Sequence, residues 1–124
     1  MQRITKSPVA ETLDPDLQPA AAFCTGDYAS LRGMFVDHLH QPFRQVLIPG
    51  FEAILAAARE AGALGSFLSG SGSCLMALTL DSVEAISTAM LDAAKKHDLP
   101  ARVIVLKADN EGAQIVGREL RTPV

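Results

Sequence analysis

A chain of 124 residues, 48% hydrophobic and 20% charged, carries enough apolar content to bury one core and too little length for two comfortable domains. Its 11 basic and 14 acidic residues are scattered and leave a formal net charge of −3, which excludes the basic footprint that a nucleic-acid backbone or an anionic membrane demands. Gly, Ser or a charge breaks every apolar run well short of the ~20 residues that span a bilayer, and the opening "MQRITKSPVAE" has no signal-peptide apolar core; a cytoplasmic location is expected.

Residues 1–15 mix polar residues with Pro8 and Pro15 and show no sustained period, which predicts an irregular lead-in or an edge strand ahead of one domain over residues 16–124. A short Ala-rich helix is expected from Asp16 to Cys24, ended by Gly26 in the left-handed conformation that helix C-termini favour. Asp27 then caps a second helix, with Tyr28, Leu31, Met34, Phe35, His38 and Leu39 on one apolar face. Pro42 disfavours helix at the residue before it and is expected to stop that helix near Gln41.

Pro49 opens the next helix, whose Phe51, Ile54, Leu55 and Ala58 share a face, and Gly62 or Gly65 lies past its end. "SFL" and "CLMALTL", flanking a Ser and Gly loop, predict a β-hairpin. Asp81 and Glu84 stand in capping-box register ahead of a helix running to about Asp98. Leu99 and Pro100 end it, "ARVIVLK" is β-branched enough for a buried strand, and "DNEG" turns into a last alternating strand, "AQIVGREL".

Antiparallel strands with helices on one face make an α+β sandwich. With an opening strand in residues 2–9 the order becomes the β-α-β-β-α-β plait of ferredoxin-like domains.

Cys24 and Cys74 lie far apart without C-x-x-C spacing, so they predict buried thiols and neither a zinc site nor a disulfide framework. His38 and His40 fall on different faces of a helix and have no third ligand in view, so no metal site is expected. Asp37 and Asp81 are explained by a helix face and a cap, Glu52 and Glu60 by solvated helix positions. No nucleophile, base and orienter can be assembled, and no catalytic residue is assigned.

Two features are open to more than one reading. "SGSGS" at residues 69–73 is neither a Walker A loop nor G-x-G-x-x-G, and it leads into a strand. It is either a flexible hairpin turn or a place where Gly70 and Gly72 let backbone N–H groups approach an anion, with Ser69, Ser71 and Ser73 adding hydroxyls. Arg44 either sits beside the last carbonyls of its helix or grips a carboxylate or phosphate with its planar fork.

The segment "DHLHQPFRQVLIPGFEAILAAAREAGALGSFLSGSGSCLMALT" resembles homoserine kinases of the GHMP family of small-molecule kinases, and "ARVIVLKADNEGAQIV" is similar to their C-terminal end. The resemblance covers most of the chain from about Asp27 onward, and "DHLHQPFRQVLIPG" is its most specific part. It implies a ferredoxin-like C-terminal domain of an enzyme that moves the γ-phosphoryl group of Mg-ATP to the hydroxyl of L-homoserine. It also implies that Arg44 pairs with the homoserine carboxylate beside His40, and that Ser69, Gly70, Ser71, Gly72 and Ser73 form a loop at the phosphate and substrate cleft. In the family that loop reads S-G-A-G-P and then Ser or Thr, where this chain has Ser71, Ser73 and Cys74; loss of the proline loosens it.

Nothing here matches the family's N-terminal nucleotide loop P-x-x-x-G-L-G-S-S-A, and a second carboxylate-binding Arg is missing from "ITKSPVAETL". The residues that hold Mg²⁺ and take up the hydroxyl proton also belong to that N-terminal part. Phosphoryl transfer needs metal, phosphate clamp and nucleophile positioned together, so the resemblance implies ATP and Mg²⁺ as cofactors of a site that this chain completes only with an N-terminal GHMP-type domain. A homodimer is expected, because surfaces bared by the missing domain would be apolar. The alternative is a stand-alone amino-acid-binding or dimerisation module without catalysis.

Overall fold

The computed structural model describes residues 17–35, 41–70 and 72–113. The expected lead-in, the opening strand at 2–9, His38, His40, Ser71 and the final strand beyond residue 113 lie outside the described residues.

Helix α1 (Gln18–Thr25) starts with a proline in its first turn and ends where Gly26, at φ 71°, donates its N–H to the Phe23 carbonyl. The amphipathic helix expected from Asp27 does not follow. A single 3₁₀ turn, Tyr28–Leu31, gives way to extended backbone at Arg32. Leu31 is buried, but Phe35 leaves the expected face and stacks on Phe67 with ring centroids 4.9 Å apart. A contact made 32 residues down the chain (67 − 35) thus outweighs the local 3.6-residue period.

Pro42, expected to close a helix, instead stands at the second position of helix α2 (Gln41–Arg44). There its absent N–H is one of those a helix leaves unpaired anyway. A 3₁₀ turn, Gln45–Leu47, follows, and none of the residues in either turn is buried.

Helix α3 (Phe51–Glu60) buries Phe51, Ile54, Leu55 and Ala58, the face its spacing predicts. It closes with the Ala63 N–H on the Ala58 carbonyl at 3.0 Å and the Gly62 N–H on Arg59 at 3.1 Å, the paired bonds of a Schellman end. Strands β1 (Gly65–Ser69) and β2 (Cys74–Leu78) form the expected antiparallel hairpin, with Phe67 opposite Met76 and Leu68 opposite Leu75.

Helix α4 (Val83–Lys96) packs along α3. The Asp81 and Glu84 capping box does not form: Ser82 is the N-cap and makes no side-chain cap bond. Thr79 holds the entry instead, its Oγ1 accepting the N–H groups of Asp81 at 3.3 Å and Ser82 at 3.0 Å.

The hairpin's two faces have different neighbours. Leu75 and Ala77, two apart on β2, pack against buried Ile54, Ala58, Ile86, Ala93 and Ala94 of the two helices. Ser66, opposite Ala77, is buried on the same side and donates its hydroxyl to the Leu55 carbonyl at 3.0 Å while accepting from Arg59 Nη1 at 3.3 Å. The other face carries Phe67 and Phe35. The result is an α+β fold, a small antiparallel sheet with helices on one face, in keeping with the ferredoxin-like plait.

Two further expectations are corrected. Residues 101–107 form no strand: they pair with no described strand, and Ile104, Val105 and Leu106 are exposed. β-branched composition favours a ladder only where a partner supplies the other half of its hydrogen bonds. Cys24 and Cys74 are exposed rather than buried; the first lies near the end of a short helix, the second at the turn end of the hairpin. The "DNEG" turn forms, with the Glu111 N–H on Asp109 Oδ1 at 2.8 Å and Gly112 at φ 75°. Among the described residues no helix is long and apolar enough to cross a membrane.

Candidate functional site

Arg44 ends α2 and is half-buried. Its guanidinium makes no hydrogen bond or ion pair among the described residues, unlike Arg59, which reaches Ser66 and Glu52. A half-buried guanidinium without a partner among the described residues leaves its planar fork available to a carboxylate or phosphate. The alternative reading, that Arg44 only neutralises carbonyls at a helix end, loses force because α2 is four residues long and has little macrodipole to neutralise.

The loop between the strands is built differently. Ser69 closes β1 and is half-buried, while Gly70, Gly72 and Ser73 are exposed. Gly70 turns the chain at φ 64°, a region that side chains with a Cβ enter at a cost. Nothing among the described residues lies within 4 Å of where a Cβ would stand at Gly70 or Gly72.

Arg44 and this loop are linked through β1. Gln41, three residues before Arg44 in the same turn, accepts the Leu68 N–H on its Oε1 at 3.4 Å, and Ser69 follows directly. On the far face of the hairpin, Phe35 lies so close over Gly65 that a Cβ there would overlap its ring. Sequence reasoning found Arg44 and the loop but missed Gln41, Phe35 and Gly65. No local pattern marks them, since each acts at a separation of 27 to 32 residues along the chain.

Among the described residues no group of three or more His, Cys, Asp or Glu side chains is placed to hold a metal ion. The described donor set does not fit a resident Mg²⁺.

A short helical turn carrying Arg44, followed by a helix and a hairpin with a Gly and Ser loop, makes an α+β domain. Residues 19–97 match the family described as GHMP kinases C terminal, and the chain belongs to that family. It is 44% identical over 97 residues to a homoserine kinase of Aquifex aeolicus (strain VF5), covering 77% of this chain and 32% of that protein. To a homoserine kinase of Caldicellulosiruptor bescii it is 41% identical over 98 residues, with the same two coverages, 77% and 32%. The crystal structure of homoserine kinase from Cytophaga hutchinsonii matches with a TM-score of 0.57 at 27% identity, over 76% of this chain and 31% of that one. The chain thus spans about a third of the length of these relatives.

Proposed function

We propose that this chain is the substrate-side part of a homoserine kinase, which transfers the γ-phosphoryl group of ATP to the hydroxyl of L-homoserine in threonine biosynthesis. The observation that carries the reading is the 41–44% identity to homoserine kinases over 77% of the chain. In this reading the Arg44 guanidinium holds the substrate carboxylate beside His40, and the loop from Ser69 through Gly70, Ser71 and Gly72 to Ser73 borders the phosphates. ATP and Mg²⁺ bind mainly to an N-terminal GHMP-type domain that supplies the other two thirds of the enzyme. The chain alone is then inert, because positioning is nearly all of phosphoryl-transfer catalysis.

The test is ATP-dependent phosphorylation of L-homoserine by the chain alone and after mixing with a separately expressed N-terminal GHMP-type domain. Activity in the mixture alone is expected. Activity of the isolated chain would refute the missing-half argument, and silence in both would leave a binding or dimerisation module.

A further inference from the structure

Helix α2 is too short to hold its own shape, since a single turn fixes several dihedrals for one hydrogen bond. Nor does burial hold it: Phe43, Val46 and Leu47, the apolar residues of α2 and the turn after it, are 73%, 77% and 69% exposed. Yet this turn carries the half-buried Arg44. Its C-terminal side is anchored where the chain enters α3 at buried Phe51. Its first residue is fastened to β1, Gln41 accepting the Leu68 N–H. In a hairpin alternate N–H groups point away from the partner strand, and the Gln41 carboxamide occupies one such group on the outer edge, one residue before the loop begins.

We infer that Gln41 is a positioning residue, whose carboxamide sets the register of Arg44 against Ser69 and Gly70 at the start of the loop by pinning its turn to the edge of β1. Carboxylate grip and phosphate-side loop are thereby held as one unit, although they belong to different elements. The catalytic consequence rests on the kinase reading; the mechanical coupling does not.

The experiment uses the full 124-residue chain, Gln41→Leu, which keeps bulk and removes the acceptor, and Gln41→Glu, which keeps an acceptor. In the isolated chain, Gln41→Leu is expected to accelerate exchange of the Leu68 amide roughly tenfold and to shift the Arg44 Nε–H and Gly70 N–H resonances, with the α3 and α4 amides unchanged. Gln41→Glu should restore all three signals. In the mixture with the N-terminal domain, Gln41→Leu should raise the KM for homoserine roughly tenfold and leave the KM for ATP unchanged. Unaltered Leu68 exchange or Arg44 and Gly70 resonances in Gln41→Leu would overturn the proposal, as would an unaltered homoserine KM in an active mixture. A wild-type mixture without homoserine phosphorylation would strike down the kinase reading, and the amide and guanidinium signals would still decide the coupling.

Discussion

Arg44 illustrates how little one residue's own neighbourhood reveals. From local sequence it reads first as a macrodipole partner and only second as an anion fork; in the structure it is half-buried and makes no hydrogen bond or ion pair among the described residues. Arg44→Lys keeps the charge and loses the bidentate geometry; in the mixture with an N-terminal domain it should raise the homoserine KM roughly ten- to hundredfold with the ATP KM unchanged. Gly65→Ala drives a methyl group into the Phe35 ring. Thermal unfolding should show a loss of about 1–3 kcal/mol. Asp98 takes φ 55° at the end of α4, with its N–H on Lys95 and the Leu99 N–H on Ala94, the same closure Gly62 makes for α3. Because that conformation favours glycine, Asp98→Gly should stabilise the chain by about 0.5–1 kcal/mol, read as a raised denaturant midpoint.

Among the elements, the buried face of α3 was legible because its helical period and its burial coincide: Phe51, Ile54, Leu55 and Ala58 are both the apolar stripe and the buried face; its start was not, since Pro49, expected in the first turn, lies ahead of the left-handed N-cap Gly50. Leu55, 1% exposed at the centre of that face, should cost about 2–5 kcal/mol as Leu55→Ala in urea unfolding. The hairpin was legible for a similar reason, two short apolar runs around turn residues. The helix expected from Asp27 was not, although its spacing was as regular. Gly26 and Gly33, both at positive φ, bracket a stretch that holds only one turn, and Phe35 gains more on the hairpin than on a helix face. At the entry to α4 the expected cap was displaced by one or two residues, from Asp81 to Ser82 and Thr79. Thr79→Val removes the acceptor of two backbone N–H groups and should cost about 1–2 kcal/mol by the same measurement.

At the scale of the molecule, the chain spans a third of the length of its kinase relatives and leaves Phe43, Val46, Leu47, Ile104, Val105 and Leu106 exposed. Apolar surface of this kind drives association. Sedimentation of the isolated chain should show self-association, expected to be dimeric, that recedes when an N-terminal GHMP-type domain is added. A monomer at high concentration would mean that these side chains do not need cover.

The sequence by itself determined the family, the central helix, the hairpin and the long last helix, because each follows from apolar spacing or from motif residues lying close together in the chain. It also singled out Arg44 and the Ser69 to Ser73 loop. Only the tertiary structure decided that Phe35 packs on the hairpin, that Pro42 begins a turn instead of ending one, that residues 101–107 pair with no described strand, and that Gln41 joins the Arg44 turn to β1. The physical reason is common to all four: periodicity and propensity are properties of neighbouring residues, whereas a strand's partner, a ring's stacking surface and a carboxamide's donor are supplied by chain that the local pattern does not contain.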